Sequence, residues 1–560
     1  MSKRQREDAD SGLPPTKRGR DAVISPLDPL SSLSDELLLH ILSFLPISSL
    51  NVCQRLSRRF HALGGDSELW KRQYYSQWVR PRARRLANVT RSAPPPKTDY
   101  TPKVSTWLDH SHLAEEGKAT NWKGQYRLRH NWSTGVCRVT EVELPQPPSP
   151  PVLVELCAGV VFTADTSHGL RAWGAKDPTS CLAEIPLSNQ PKMATVRPTA
   201  LAVSQLDNEQ EIVVGFDDGR FNRYIFDIQT SRLGLQSAHV GFKDGAITAM
   251  ALSSPYLLMV SQYKSLSLYN LRALSQESEN AGEAKYPRKL ASLNAANMVA
   301  PMTLSLRPSS LEIVATIVYS FFRIGCGWSL GIQELRFSKD GQQLESRLAS
   351  TVDSQYGIVP LRGWSSSRIR RHSIGIEDIE GPSSAAPATP SIAHQQPPTS
   401  MSYSHPYLLT SHADNTLTMY LVVSDSRSLF VRGGQRLWGH TSSVSAVQVT
   451  NRGKAVSVSS RGDEIRIWEL ETAVRSLGSR RPLREENSIQ VSPENKSQED
   501  SGLGVAPRGL RRGVSDSGLA TGAPRDLSLI HGCVGFDEER VLLLREKTVG
   551  TQLLECYDFT

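Results

Sequence analysis

The sequence predicts an α+β protein of several domains, with a small all-α module followed by an all-β propeller of seven blades. Two patterns support this prediction. Apolar residues recur at helical spacing within residues 26–78, whereas short alternating strands recur from about residue 135 onward at intervals near the length of a propeller blade. The chain has 560 residues, 39% hydrophobic and 21% charged, which is the composition of a folded protein with room for several domains.

Composition and simple motifs argue against several classes of function. The net charge of +8 is small for this length, so nucleic acid is not expected as a partner. The seven cysteines form no CxxC pair and the chain starts with a polar, charged segment, so neither a disulfide framework nor a secretory leader is expected. The most apolar window, residues 311–322, is too short to cross a bilayer, so no membrane partner is expected. No metal site, cofactor or catalytic residue is predicted.

Residues 1–25 form a basic tail without apolar periodicity, which predicts disorder. Two basic clusters in this tail are separated by twelve residues, a spacing similar to that of a bipartite nuclear-import signal. The clusters consist of Lys3, Arg4, Lys17, Arg18 and Arg20. They predict a nuclear and/or cytoplasmic location, and the alternative is a solvated charged tail with no targeting role.

Residues 26–78 are predicted to fold into three short helices. The first helix carries an apolar stripe made of Leu37, Leu38, Ile41, Leu42 and Leu45. Ser34 or Asp35 can cap its start, and Pro46 marks its end. A second helix is expected over 47–63, and a third begins near Asp66 after two glycines. Because three short helices bury little surface by themselves, a partner is expected to complete the module.

The same residues resemble an F-box. The segments LSDELLLHILSFLP, SRRFHAL and ELWKR occur in the order and at the spacing of that family, although Ser34 stands where the family usually has proline. The resemblance implies docking onto the adaptor subunit of a cullin–RING ubiquitin ligase. The residues expected to bind the adaptor are Leu30, Leu33, Leu37, Leu38, Ile41, Leu42, Leu45 and Pro46. The alternative is that all these leucines belong to an ordinary core.

Residues 79–134 are predicted to form a linker that ends in a helical segment. Its first part is rich in arginine and proline, which indicates a solvated connection. Its last part places Trp122, Tyr126, Arg129 and Trp132 on one helix face. This pattern resembles the segment that joins an F-box to a propeller in F-box/WD-repeat proteins.

Residues 135–560 carry weak repeats in which an alternating strand ends in a large aromatic residue. The aromatic ends are Trp173, Tyr224, Tyr269, Tyr420, Trp468 and Tyr557. Three of the gaps between these ends, 173→224, 224→269 and 420→468, are 51, 45 and 48 residues. They are close to the roughly 40–45 residues that a four-stranded blade needs, and the other gaps are longer because of insertions. The seven predicted blades lie near 152–173, 199–228, 245–271, 302–337, 404–423, 444–470 and 528–558. The strand at 135–144 is expected to close the ring by joining the last blade.

The segment 436–470 resembles a WD repeat. In that family a histidine and a turn aspartate bond each other and a tryptophan, which links the strands to the turn. The matching residues here are Gly439, His440, Asp463 and Trp468, with Glu469 in place of the final aspartate. Because the other repeats lack the Gly-His pair, the network is expected to be incomplete in most blades.

Two further segments do not fit the strand pattern of the repeats, and a third matches a motif of an unrelated enzyme class. Residues 365–400 and 474–526 lack aromatic residues and alternation, which predicts disordered insertions. Residues 327–331 match G-x-S-x-G, but the alternating sequence that follows predicts a strand where a hydrolase nucleophile would need a helix.

The resemblance implies a non-catalytic substrate-recognition subunit of an SCF-type cullin–RING ubiquitin ligase. The F-box would bind the adaptor, and through it the cullin and the RING protein, while the propeller would hold a target protein. The alternative is an interaction scaffold that uses the adaptor for assembly and has no role in ubiquitylation.

Overall fold

The fold was derived from a computed structural model of the full chain. The structure describes residues 30, 32–80, 120–144, 152–175, 180–187, 196–206, 208–239, 245–274, 287–294, 299–352, 392, 394–425, 428–462, 464–471, 488–493, 528–548 and 551–560. The chain divides into two compact units, with the boundary between Tyr126 and Arg127 in the described part. The predicted tail and most of both predicted insertions lie outside the described residues.

The first unit is helical. Its described helices before residue 81 are α1 Asp35–Leu42, α2 Ile47–Cys53, α3 Arg58–Gly64, α4 Ser67–Tyr74 and a π-helix at Tyr75–Val79. The prediction of a single helix over 47–63 is therefore wrong. Helix α2 ends at Cys53, and α3 begins only after Ser57. The backbone of Ser57 is extended, and its side-chain hydroxyl caps α3 by accepting a hydrogen bond from Phe60 N at 3.2 Å.

The starts of α4 and α1 agree better with the predicted positions. Asp66 caps α4, as its carboxylate accepts hydrogen bonds from the backbone of Glu68 at 2.9 Å and Leu69 at 3.4 Å. Ser34 takes the N-cap position of α1, but its side chain makes no capping hydrogen bond. Asp35 instead pairs with Arg59 at 2.6 Å, and Arg59 also donates to the carbonyl of Leu33. These contacts attach the start of α1 to α3.

The core of the helical unit includes part of a fifth helix, α5, at Trp122–Thr134. Trp122 and Tyr126 are buried together with Leu42, Leu50 and Trp70. The ring of Tyr126 meets Trp70 edge-on, with 5.3 Å between centroids. The predicted helical face of the linker is thus confirmed, and its first half supplies large side chains that the short helices before it lack.

The second unit is a β-propeller, and seven sheets are present among the described residues. The first strand of each blade lies innermost and contacts the first strand of the next blade. These inner strands are β2 Leu153–Cys157, β6 Pro198–Leu206, β10 Ile247–Ser253, β14 Val299–Pro308, β18 Ser400–Ser404, β22 Val444–Val449 and β27 Ser528–Phe536. The second strands are β3 Val160–Asp165, β7 Glu209–Phe216, β11 Tyr256–Ser261, β15 Glu312–Arg323, β19 Tyr407–Ser411, β23 Lys454–Ser459 and β28 Arg540–Thr548.

Each blade is completed by two further antiparallel strands. The third strands are β4 Gly169–Gly174, β8 Phe221–Asp227, β12 Ser265–Leu274, β16 Gly327–Ser338, β20 Leu417–Ser424, β24 Ile465–Glu469 and β29 Thr551–Asp558. The fourth strands are β5 Cys181–Ile185, β9 Arg232–His239, β13 Pro287–Asn294, β17 Gln343–Ser350, β21 Leu429–Leu437, β25 Ser488–Gln490 and β1 Val136–Leu144. All seven predicted blades are confirmed.

The ring closes by joining the two ends of the propeller segment. Strand β1 pairs antiparallel with β29 over seven residue pairs and thereby becomes the fourth strand of blade 7. A two-residue strand, β26 Ser492–Pro493, pairs with the start of β1. The predicted closure is confirmed, and it removes two sheet edges that would otherwise be unpaired.

Apolar side chains fill the spaces between blades. Among the described residues, seven buried clusters each join two neighbouring blades, including the pair formed by blades 7 and 1. Successive residues along a strand point to opposite faces of the sheet, and each face packs against a neighbouring blade. Both faces of each blade are therefore buried. This accounts for continuous apolar runs such as YLLMVS in β11, all of which is buried.

One predicted insertion contains part of a blade. Residues 488–493 lie within the predicted 474–526 segment. They form β25, which completes the sheet of blade 6, and β26, which joins the sheet of blade 7. Strand β25 pairs with β24 through only three residues, so its sequence is too short to show alternation. The described part of the 365–400 segment includes His394, whose carbonyl accepts a hydrogen bond from Trp328 N at 2.9 Å.

The second half of α5 packs on blades 6 and 7. Trp132 is buried and stacks on Phe559 with 4.1 Å between ring centroids. The indole N–H donates to the carbonyl of Glu538 at 2.8 Å, and Lys454 Nζ lies 3.9 Å from the centroid of the Trp132 ring. Arg129 pairs with Glu469 at 2.8 Å, so the glutamate that replaces the usual final aspartate of the repeat binds this helix.

Lys454 gives the propeller a specific pH dependence. Burial lowers the pKa of its ammonium group to about 8, although nearby carboxylates oppose this shift. An unfolded lysine has a pKa of about 10.4, so between these two values the unfolded chain binds more protons and stability rises with pH. We expect Lys454→Met to remove this part of the rise. Urea unfolding of both proteins between pH 7 and pH 10 measures it, and equal slopes would contradict the assignment.

Candidate functional site

The helical unit presents an apolar surface on α1 and the segment before it. Leu30, Leu37 and Ile41 expose 51%, 53% and 43% of their surface, although all three are large aliphatic side chains. Leu38 and Leu42, which belong to the same predicted set, are buried in the core. The stripe therefore has two sides, and the inner side holds the unit together.

The remaining predicted contact residues lie around this surface. Leu33 and Leu45 are half-buried, and Pro46 is exposed at the start of α2. Three apolar residues outside the predicted set are also exposed, namely Phe44, Val52 and Leu56, at 68%, 58% and 65%. Only Val52 lies in a helix, whereas Phe44 and Leu56 follow the ends of α1 and α2, so no helical periodicity marks the three residues as a set. An apolar surface of this size on a small unit is typical of a protein-binding site.

Phe44 is held in its exposed position by its neighbours. Its ring meets His40 edge-on at 5.0 Å, and the guanidinium of Arg72 lies 5.6 Å from its centroid. Arg72 also donates to Ser43 Oγ at 2.9 Å. Because these contacts fix the ring before any partner binds, Phe44 can bury its outer face without a large entropy cost.

In the propeller, blade 6 contains the network expected of a WD repeat, with one substitution. His440 Nε2 lies 2.6 Å from Ser457 Oγ, which also accepts a hydrogen bond from the indole of Trp468 at 2.8 Å. The carboxylate next to His440 belongs to Glu464, with 3.4 Å between Nδ1 and Oε2. Asp463, the predicted partner, lies outside the described residues.

Glu464 is well suited to this position. Burial raises its pKa, but hydrogen bonds from Thr441 and Arg466 outweigh that effect, and the pKa is lowered overall. Its longer side chain reaches the backbone N–H of Thr441 at 2.9 Å from a position adjacent to the turn. Gly439 leaves room for the network, since a Cβ there would lie 3.2 Å from the Trp468 ring.

Ser457→Ala is expected to destabilise the propeller by roughly 1–3 kcal/mol, because the buried Trp468 N–H and His440 would both lose their shared partner. Urea unfolding measures the change. Ser460→Ala, just beyond the end of β23, is the control. It removes a half-buried hydroxyl that shares one hydrogen bond with Ser443 Oγ and should cost less. An unchanged Ser457→Ala protein would show that the network carries no stability.

Other blades keep fragments of this network. In blade 1, the indole of Trp173 donates to Thr163 Oγ1 at 2.9 Å, the same tryptophan–hydroxyl pair without a histidine. In blade 5, Tyr420 is buried near the corresponding position, and Thr410 Oγ1 lies 3.0 Å from His412 Nε2.

Arginines on three of the third strands are paired within their own blades. Arg171 lies 2.8 Å from Asp165, and Arg466 lies 2.6 Å from Glu464. Arg223 pairs with the buried Glu211. These guanidinium groups neutralise buried carboxylates, so they are not free to bind a phosphate on a partner.

The G-x-S-x-G match is part of a β-hairpin. Ser329 lies within β16, which continues as a strand to Ser338, so the helix that a nucleophile turn requires is absent here. The two glycines have packing roles. A Cβ at Gly327 would lie 2.5 Å from the carbonyl of His394, and one at Gly331 would lie 2.6 Å from the Tyr319 ring.

Neither a metal site nor a membrane-spanning helix is found among the described residues. They contain no group of three or more His, Cys, Asp or Glu side chains arranged to hold a metal ion. None of their helices combines the length and the apolar character needed to cross a membrane.

Comparison with known proteins agrees with both units. A family described as F-box-like matches residues 30–76, and a family described as F-box protein pof12 beta-propeller matches residues 137–560. The chain belongs to the pof12 β-propeller family. It is similar to F-box protein pof12 of Schizosaccharomyces pombe, with 24% identity over 467 residues that cover 81% of this chain and 87% of the relative. F-box propeller proteins of this kind are typically non-catalytic adaptors or receptors.

Solved structures to which the pof12-family chain is similar include two at 10% identity. One is described as the structure of U3-55K, with a TM-score of 0.38, covering 75% of this chain and 98% of that one. The other is described as the crystal structure of RRP9 WD40 repeats, with a TM-score of 0.36, covering 74% and 100%.

Proposed function

We propose that this chain is the substrate-recognition subunit of an SCF-type cullin–RING ubiquitin ligase. The observation that supports the proposal is the exposed apolar surface of the F-box, formed by Leu30, Leu37, Ile41 and Phe44. F-box domains generally bind a Skp1-type adaptor. The adaptor would connect the chain to the cullin and the RING protein, and the propeller would bind the target.

In this proposal the chain performs no bond chemistry. Its contribution is to hold a target lysine near the ubiquitin-loaded conjugating enzyme, which turns an encounter between two molecules into a reaction within one complex. The propeller suits this role because its blades present turns from many strands on each face of a single ring.

The proposal is tested in two steps. The purified full-length chain should co-purify with a Skp1-type adaptor and with the cullin–RING pair added to it. In cells, proteins that bind a variant unable to bind the adaptor should have longer half-lives than in cells with the wild-type chain. A partner whose location changes while its half-life does not would instead support the scaffold alternative.

We further propose that the chain is present in the nucleus as well as the cytoplasm. The support is the pair of basic clusters in the tail, whose residues lie outside the described part of the chain. Replacing Lys17, Arg18 and Arg20 with alanine should shift a fluorescently tagged chain to the cytoplasm. An unchanged distribution would contradict the import role.

A further inference from the structure

The hairpin of blade 4 extends beyond the rest of its sheet. Pairing between β15 and β16 continues to Arg323 and Gly327. Pairing with the two outer neighbours stops earlier, at Ser320 on one side and Gly331 on the other. The last three residue pairs, within 321–329, therefore belong to a projection, which we name the blade 4 tip.

The blade 4 tip exposes an unusual amount of apolar surface. Phe322 and Ile324 expose 60% and 92%, and Phe322 meets Trp328 edge-on with 5.8 Å between ring centroids. Arg323, between the two exposed residues, is itself exposed. An isolated exposed leucine needs no explanation, but a projecting group of aromatic and aliphatic side chains marks an interaction site.

The tip is held in place by blade 5. The backbone N–H of Trp328 donates to the carbonyl of His394 at 2.9 Å, and Gly327 permits this close approach. The His394 ring in turn stacks on His412 at 3.8 Å, with 5° between the ring planes. Because the projection is fixed before a partner arrives, little conformational entropy is lost when it binds.

We propose that the blade 4 tip binds the target protein, through a segment of the target that combines large apolar side chains with Asp or Glu. This inference rests on the proposed function and adds the class of segment recognised. Phe322 and Ile324 provide the apolar contact, and Arg323 provides a guanidinium that matches a carboxylate.

In the test, short random peptides displayed on phage are selected for binding to the purified full-length chain. Peptides that also bind the Ile324→Ser variant are then removed. Retained peptides should be enriched in large apolar residues together with Asp or Glu. Synthetic copies should bind Phe322→Ser, Ile324→Ser and Arg323→Glu at least about tenfold more weakly than wild type, as expected when one apolar side chain or charge pair is lost.

Leu311→Ser is the matched control. Leu311 is 82% exposed in the turn at the opposite end of β15, so the same polar change there should leave peptide binding unchanged. Failure to retain any peptide that depends on Ile324 would overturn the proposal, as would retained peptides without acidic residues. Ile324-dependent binding to vesicles of phosphatidylcholine and phosphatidylserine would also overturn it, in favour of a membrane contact.

Adaptor binding is measured on the same preparations. If wild type and Ile324→Ser both bind the adaptor and no tip-dependent peptide is found, only the assignment of the tip fails. If wild type does not bind the adaptor, the proposed function fails, whatever the peptide result.

Discussion

Replacing both Leu37 and Ile41 with serine is expected to weaken binding of a Skp1-type adaptor strongly while the helical unit stays folded. Each side chain is about half exposed in the free chain, at 53% and 43%, and this exposed half can be buried by a partner. Fully burying an aliphatic side chain is worth roughly 1.5–3 kcal/mol. Because about half of each side chain remains to be buried, losing both should cost about 1.5–3 kcal/mol and weaken binding roughly ten- to hundredfold. Titration of the full-length chain with purified adaptor measures the change.

Two further variants separate loss of contact from loss of fold. Leu38→Ala, in the same helix but on its buried side, should destabilise the unit by roughly 2–5 kcal/mol and lower its unfolding temperature. Leu311→Ser makes an exposed leucine polar in the propeller and should leave adaptor binding unchanged. Wild-type affinity in the Leu37→Ser, Ile41→Ser protein would show that the apolar surface of α1 is not the adaptor site.

The sequence was sufficient to predict the surface only as a set of residues. The stripe from Leu37 to Leu45 is equally apolar on both sides, because neighbouring positions such as Leu37 and Leu38 differ by only 100° around a helix. Which side of the stripe faces inward depends on its contacts with Trp70 and with Trp122. Trp122 lies about 80 residues after the stripe. Helical periodicity cannot show that, since it describes one helix at a time.

The propeller was more predictable, because each blade repeats the same alternation and ends in an aromatic residue. Its exceptions have local causes. Strand β25 has three residues, which is too few for a periodic pattern. Glu464 was missed because family spacing directs attention to Asp463, whereas the contact depends on side-chain length. The apolar tip of blade 4 was hidden within a long run whose other members are buried.

Trp132→Ala is expected to destabilise the propeller by roughly 3–5 kcal/mol, the usual range for removing a buried aromatic side chain. The substitution would remove the stacking on Phe559 and the hydrogen bond to the Glu538 carbonyl, and it would leave Lys454 beside a cavity. Trp132→Phe retains a ring but not the N–H donor and should cost less. Trp438→Ala removes a tryptophan that is 60% exposed and should change stability by less than about 0.5 kcal/mol.

The position of Trp132 predicts where the loss of stability is concentrated. It precedes β1 by a few residues, and β1 closes the ring by pairing with β29, next to Phe559. Loosening this contact should free the closing strand before it affects blades far from the closure. Hydrogen exchange in Trp132→Ala should therefore increase in β1 and β29 and stay near wild type in β11 of blade 3. A uniform increase over all blades would show instead that the propeller unfolds as one unit.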